Sequence, residues 1–412
     1  GDIMKKFLLV LISVILTLLL FSEVIVVKRN HAVLRSGPGS FYPIISELEP
    51  NAELQVLKHE EGWIEVEYMG KRGFVSEKIS KEKKKSSETE KKMAEEKTGI
   101  KIARMGMTAG VKGFAKKLSR KLNSDPQFVD FLADYSFEPT KFRKFKKETY
   151  KKFNYKKARK LNPLPNFSEF DNYSFSEQEF GLAIAAKIAS LGISQDYDKT
   201  EYLNLFGNLI VAASDVYDKN FKFFILDIPN PNAYACPGGI IFITNGLLSM
   251  MENEAQLACV LGHEISHVAR KHGLKEAEKR FNQILAESAF LELDEELEEI
   301  GETQTEEETE IEDELEDLLL ETYEQIAAGR LGAYENEADK LGLLYALRAG
   351  FDPNEMLNLL KKLQSSEINS NNEHYSKEQI ISREKAIRSE LQKLRFPKKM
   401  LINRERFLSL GR

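Results

Sequence analysis

The chain has 412 residues, 42% of them hydrophobic, so it is long enough for two or three domains and apolar enough to fold. Its two cysteines, Cys236 and Cys259, exclude a disulfide-rich scaffold and a cysteine-only zinc cluster. The formal net charge of −6 conceals a segregation, because residues 281–329 hold nineteen acidic residues and no lysine or arginine. So long an acidic block argues against tight nucleic-acid binding, and we predict no nucleic-acid partner.

The N-terminal segment has the shape of an export signal. Two lysines follow Met4, and residues 7–21 are apolar with two exceptions. Continued to residue 27, the same stretch is long enough to stay in a membrane. Residues 1–23 are therefore predicted to be a signal peptide or a membrane anchor. The expected location is extracytoplasmic, in the periplasm or cell envelope.

Residues 24–80 read as short strands separated by turns at residues 36–39 and 69–72, a pattern that favours a small all-β barrel. The segment VLRSGPGSFYPIISEL, the pair Gly62-Trp63 and the GFV that follows resemble a bacterial SH3 domain. The resemblance implies binding of peptidoglycan or envelope proteins. A spacer without a ligand of its own is an equal alternative.

Residues 81–165 are predicted to form a charged linker and basic helices. Residues 141–160 contain eleven lysines or arginines interleaved with five aromatic residues. Such a tract can contact anionic lipid, or its aromatic residues can pack on the next domain while the charges stay solvated.

The remaining residues, 166–412, alternate helical and strand patterns. Helices are predicted at residues 176–190, 200–217, 254–272, 334–348 and 353–364, and strands at 221–227 and 239–244. Together with the barrel, this predicts a multidomain protein whose second part is a mainly α-helical α+β domain.

A metal-binding pattern lies inside the helix predicted at residues 254–272. His263 and His267 are four residues apart and therefore share one helical face, where two imidazoles can bind one tetrahedral zinc ion. Glu264, one residue after the first histidine, can reach a water at the open position and act as general base.

A third ligand must come from elsewhere, because a catalytic zinc takes three protein ligands. Glu335, on a later helix, is the best candidate from spacing, although acidic residues are abundant in this region. Asp339 shares its face and can hydrogen-bond a ligand histidine, whereas Glu337 points away and is the weaker candidate.

Three segments in order make a specific resemblance: IPNPNAYACPGGIIFITNGLL, NEAQLACVLGHEISHVARKHG and YENEADKLGLLYALRAGFDPNEM. They resemble the zinc metalloendopeptidases of the HtpX, Oma and CAAX-prenyl-protease type. The resemblance implies a zincin-type metalloprotease fold for the second part of the chain. It also implies one Zn²⁺ per chain held by His263, His267 and Glu335, catalysis by Glu264, support from Asp339 and polypeptide substrates.

Two further site expectations follow from that resemblance. Gly239, Ile240 and Ile241 would begin a sheet edge on which an extended substrate pairs. His374 is the nearest equivalent of a downstream histidine that gates the metal or stabilises the oxyanion in relatives, although an exposed loop histidine is the simpler interpretation.

Several alternatives stay open at this level. Cys236 and Cys259 can form a disulfide or be buried free thiols. The acidic insert, residues 288–325, can be a helical lid or a solvated loop. The predicted function is envelope protein quality control by proteolysis. The alternative is a chaperone-like or cell-wall-binding protein with an inactive or autoinhibited metal site.

Overall fold

The computed structural model describes residues 23–29, 32–80, 113–165 without 114, 118 and 121, 175–274, 317–326 without 325, 332–365 and 377–409. The predicted export signal, the linker at residues 81–97, most of the acidic insert and His374 lie outside these ranges. The chain divides into two compact units, residues 1–101 and 102–412, which are described separately.

The first unit is a six-stranded antiparallel sheet, which confirms the predicted SH3-like β fold. Its strands pair in the order β1-β4-β5-β6-β2-β3. They are β1 (Val24–Val26), β2 (Ala32–Arg35), β3 (Ile44–Leu48), β4 (Glu53–Glu60), β5 (Trp63–Tyr68) and β6 (Lys71–Ser76).

Tight turns set the register of this sheet. Tyr68 pairs with Lys71, and the two residues between them, Met69 and Gly70, both have positive φ, as a two-residue turn with the twist of a hairpin requires. The alternate inward side chains form an apolar core in which Leu34, Leu54, Val66 and Val75 are fully buried.

The second unit is mainly helical, as predicted. Its helices are α1 (Gln127–Asp134), α2 (Pro139–Thr149), α3 (Tyr155–Leu161), α4 (Phe175–Ala189), α5 (Tyr197–Val211), α6 (Asn245–Met250), α7 (Glu254–Ala269), α8 (Gly332–Arg348), α9 (Glu355–Ser365), α10 (Lys377–Leu391) and α11 (Arg404–Ser409). Within the described ranges, no helix is both long and apolar enough to cross a membrane.

A small sheet supports this helical unit and corrects one expectation. It consists of β7 (Lys222–Leu226), β8 (Ala233–Ala235) and β9 (Ile240–Thr244) in the order β7-β9-β8. The strand entered through Gly239, with Ile240 and Ile241, is therefore central and not an edge. β7 lies parallel to it on one side, and the short β8 lies antiparallel on the other and takes up its hydrogen bonds.

The basic tract packs on the rest of its unit through its aromatic residues. The Phe145 ring meets the rings of Tyr202 and Phe206 edge-on at centroid distances of 5.7 and 6.5 Å. The Tyr150 hydroxyl donates to the carbonyl of Ala349 at 2.7 Å. These contacts account for the aromatic spacing without a lipid or a nucleic acid.

The described end of the acidic insert is structured. Residues 317–324 are helical, and Leu318, Leu319 and Ile326 are buried in the core formed by α4 and the small sheet. Both cysteines are buried and free, so the alternative of a disulfide is not realised in the structure. Burial raises the pKa of the Cys259 thiol, as expected of a thiol packed like a small apolar side chain.

Candidate metal centre

Helix α7, which carries both histidines, runs through the interior of the second unit and is buried along its whole length. Asn253 caps it, because its side-chain oxygen accepts from the amide of Gln256 at 3.0 Å. Spacing by four residues places the two rings on one face, and the Nε2 atoms of His263 and His267 are 3.0 Å apart.

Helix α8 brings a carboxylate to this pair. Glu335 places Oε2 3.3 Å from Nε2 of His263 and Oε1 3.4 Å from Nε2 of His267. Ligands about 2.0–2.1 Å from a tetrahedral zinc ion lie about 3.3–3.4 Å from one another. The three donor groups therefore fit one zinc ion in both chemistry and spacing.

Two glycines allow α7 and α8 to approach closely beside the site. A Cβ on Gly342 would lie 2.6 Å from the backbone nitrogen of His263, and one on Gly262 would lie 2.6 Å from the carbonyl oxygen of Gly342. No ordinary side chain fits between the helices at this level. The absence of a Cβ at Gly262 and Gly342 thus sets the distance between the two helices, and with it the distance from Glu335 to the histidines.

Asp339 and Arg383 hold the far side of His263. Nδ1 of His263 lies 2.9 Å from Oδ1 of Asp339, and Arg383 donates to both oxygens of that carboxylate at 2.9 and 2.7 Å. Burial alone would raise the pKa of Asp339, but Arg383 and His263 outweigh it and hold the pKa at about 2. Asp339 thus remains a hydrogen-bond acceptor at neutral pH.

The carboxylates also act on the metal-free histidine. Burial opposes protonation of His263, but hydrogen bonds to Asp339 and Glu335 raise its pKa to about 10. The pKa of Glu335 is lowered despite burial, because both histidines donate to it. Asp339 and Glu335 therefore favour positive charge where the donor atoms converge, as a cation site requires.

Glu264 lies between the two histidines on α7 and is 7% exposed, whereas the Glu335 side chain is 23% exposed. Glu264 is thus enclosed by protein, whereas solvent reaches Glu335. Glu337, the weaker candidate for the third ligand, instead contacts Nε2 of His272 at 3.1 Å.

A second buried cluster fixes the start of α7. Glu254 is fully buried and accepts from the Tyr202 hydroxyl at 2.6 Å and from Nδ2 of Asn403 at 2.7 Å. Arg406, on α11, pairs with the same carboxylate. Burial and the Glu254 charge both raise the pKa of Tyr202, which keeps its proton for this bond.

The structure thus brings His263, His267, Glu335 and Asp339 together, and it leaves the expected edge strand in the middle of the sheet. Sequence reasoning assigned no role at the site to Arg383 or to His272.

A histidine pair on one helix with a glutamate from a later helix is the donor set of a zincin-type metallopeptidase domain. The comparison with family models agrees: residues 198–391 match Peptidase family M48, and residues 30–80 match the Bacterial SH3 domain. The chain therefore contains an M48 peptidase domain and a bacterial SH3 domain.

Two groups of curated proteins are similar to this chain. A "Beta-barrel assembly-enhancing protease" of Yersinia pestis is 33% identical over 176 residues, which are 42% of this chain and 35% of that protein. The Escherichia coli K12 protein of that name is 30% identical over 164 residues, 40% of this chain and 32% of its own length.

The "Mitochondrial metalloendopeptidase OMA1" of Schizosaccharomyces pombe is 29% identical over 216 residues, 50% of this chain and 57% of that protein. The chain thus spans about a third of the length of the bacterial relatives and somewhat over half of the yeast relative.

Proposed function

We propose that this protein is a zinc-dependent endopeptidase that hydrolyses peptide bonds in polypeptide substrates. The observation that carries the proposal is the convergence of two imidazole nitrogens and one carboxylate, each 3.0–3.4 Å from the next. The M48 match and the metalloendopeptidase relatives support it. Zinc bound there would supply a Lewis acid that polarises the scissile carbonyl and acidifies a water molecule.

The residues of the site then have separate roles in the reaction. Glu264 takes the proton from the attacking water and passes it to the leaving amine. Asp339, fixed by Arg383, holds the ring of His263 in the orientation that points Nε2 at the cluster. Glu335 completes the donor set from α8.

Strand β8 flanks the site. The end of β8 and the nearby Pro237 line a small pocket together with His267 and Val268. The sheet order leaves β8 as the outer strand on that side, so the main chain of an extended substrate would pair there and not on β9.

We further propose that the protein works in the cell envelope, in protein quality control outside the cytoplasm. The bacterial SH3 domain and the beta-barrel assembly-enhancing relatives support this, as does the apolar N-terminal segment of the sequence. Cell fractionation with a cytoplasmic and an envelope marker tests it, and recovery of the protein only with the cytoplasmic marker would refute it.

The proteolytic role is tested with a Glu264→Gln variant, which keeps the size of the side chain and removes the base. Cleavage of an unfolded substrate such as casein should fall by about 10²–10⁴-fold with zinc content unchanged. Glu405→Gln, exposed on α11, is the matched control and should cleave like the wild type. Undiminished cleavage by Glu264→Gln would remove Glu264 from the mechanism. Biological activity that survives in this variant would favour the chaperone-like alternative.

The SH3 match favours an additional attachment role, in which the first unit binds peptidoglycan or an envelope protein. Sedimentation with purified peptidoglycan measures this directly. The full chain should pellet with the polymer, and a chain beginning at residue 102 should stay in solution. Equal pelleting of the two would assign any binding to the second unit.

A further inference from the structure

The ring of His272 links the two helices of the metal centre. Its Nδ1 lies 2.9 Å from Nδ1 of His267 on α7, and its Nε2 lies 3.1 Å from Oε2 of Glu337 on α8. The ring also stacks on Tyr334, the neighbour of Glu335, at a centroid distance of 4.6 Å and an angle of 15°. One buried side chain thus contacts a metal-facing histidine and the helical turn that carries the carboxylate.

The end of α7 turns His272 back toward His267. Lys271 has a left-handed conformation with φ of 52°, although it is not a glycine. Its amide donates to the carbonyl of Val268 at 3.1 Å, and the amide of His272 donates to that of His267 at 3.0 Å, the two bonds of a Schellman cap. A left-handed conformation is strained for a residue other than glycine, so the contacts that follow Lys271 hold this geometry.

The hydrogen bonds around His267 have one consistent direction. Its Nε2 faces Glu335 and His263, so a metal ion there requires Nε2 without a proton and Nδ1 with one. Nδ1–H then donates to Nδ1 of His272, whose own proton sits on Nε2 and is donated to Glu337. His263 reaches its carboxylate directly, at Asp339, whereas His267 reaches one through a second imidazole.

We propose that His272 is a positioning residue of the metal centre. It holds His267 in the tautomer and orientation that present Nε2, and it fixes the first turn of α8 through Tyr334 and Glu337. This inference rests on the proposed metal function, in which His267 and Glu335 are ligands. Substitution of a residue that hydrogen-bonds a metal ligand typically lowers metal affinity by about 10–100-fold.

Three substitutions test the proposal by zinc affinity, measured by competition with a chromophoric chelator. His272→Phe keeps the stack on Tyr334 and removes the acceptor for His267, so we expect affinity to fall about 10–100-fold. His272→Gln can accept from His267 and donate to Glu337, so it should recover most of that loss. Glu337→Met, at a position where the side chain is 36% exposed, should weaken binding by a smaller factor.

A double variant separates positioning from general damage. Because both residues act on His267 along one chain of hydrogen bonds, His272→Phe with Glu337→Met should bind zinc no more weakly than His272→Phe alone. Urea unfolding of the metal-free variants shows whether the fold is intact. If His272→Phe does not fold, the other two single variants decide the question. Wild-type zinc affinity in Glu337→Met would overturn the proposal. A zinc affinity in His272→Gln far below that of Glu337→Met would also overturn it.

The proposal and the metal function fail in different ways. Wild-type protein without zinc affinity would refute the metal centre itself. Wild-type protein that binds zinc, beside a folded His272→Phe that binds it equally well, would refute the positioning role alone. Equal loss in His272→Phe and His272→Gln would also overturn it, because hydrogen bonding would then not matter.

Discussion

The contact between α7 and α8 at Gly262 and Gly342 can be tested with a single methyl group. In Gly342→Ala the new Cβ would lie 2.6 Å from the nitrogen of His263, 2.8 Å from its Cα and 3.0 Å from the carbonyl carbon of Gly262. All three are backbone atoms, which cannot rotate away. Normal separations are about 3.5–4.0 Å, so the helices must move apart by about 1 Å.

Movement of that size acts directly on the donor set. Glu335 is on α8 and the histidines are on α7, with donor separations of 3.3–3.4 Å. Overpacking of this kind costs about 1–3 kcal/mol, and a shift of about 1 Å is half the length of a zinc–oxygen bond. We expect zinc affinity to fall at least about tenfold, which corresponds to about 1.4 kcal/mol.

The assay combines chelator competition for zinc with urea unfolding of the metal-free protein. Gly113→Ala is the matched control, because Gly113 is also helical but its Cβ would meet nothing within 4 Å. That control should keep wild-type zinc affinity and gain up to about 1 kcal/mol of stability. If Gly342→Ala matches the wild type in both zinc affinity and stability, the helix contact does not set the site, and this reasoning is refuted.

Three further predictions concern the supporting groups. Arg383→Leu should lower the free energy of unfolding at pH 7 by about 3 kcal/mol, because it leaves the buried Asp339 carboxylate without its guanidinium. Arg388→Leu, which removes an exposed arginine from the same helix, is the control. An equal loss of stability in the two variants would contradict the pairing. Arg406→Met should destabilise the protein strongly, because it leaves the buried Glu254 carboxylate without its cation. Adding Glu254→Gln to Arg406→Met should restore part of the lost stability in urea unfolding. Strictly additive effects of the two substitutions would argue against a coupled pair. The pKa of Asp339 is held at about 2, below its ordinary value, so its contribution to stability is present above about pH 4 and lost as the pH falls toward 2. Urea unfolding between pH 2 and pH 5 should show a flatter acid slope for Asp339→Asn, and parallel slopes would contradict the assignment.

The ligand residues could be predicted from the sequence because their geometry is local or motif-borne. Residues four apart on a helix must share a face, which placed His263 and His267 together. Spacing alone left Glu335 among several carboxylates, and the family resemblance selected it. The strands of the first unit could be predicted equally well, because alternating apolar residues and turn residues mark them.

The missed features depend on packing or on exceptions to local rules. β8 is only three residues long, too short to show a period, and without it β9 looked like an edge. Arg383 meets Asp339 across 44 residues of chain, a distance over which no periodicity acts. His272 returns to α7 through a left-handed lysine, where a sequence signal would require glycine.

A structural boundary was also misplaced for a local reason. The helix predicted from residue 200 begins at Tyr197, because Asp196 caps it by accepting from the amide of Lys199 at 3.0 Å. The carboxylate of Asp196 sits at the positive end of the helix and pairs with Lys199, which lowers its pKa. Asp196 lies four residues before the predicted start at residue 200.

Zinc content of purified protein, measured by atomic emission, tests the central claim most directly. The wild type should hold one zinc ion per chain, and Glu335→Ala should lose it after dialysis against a weak chelator, while Glu405→Ala keeps it. Full zinc occupancy in a folded Glu335→Ala variant would contradict the three-ligand centre on which the proposed activity depends.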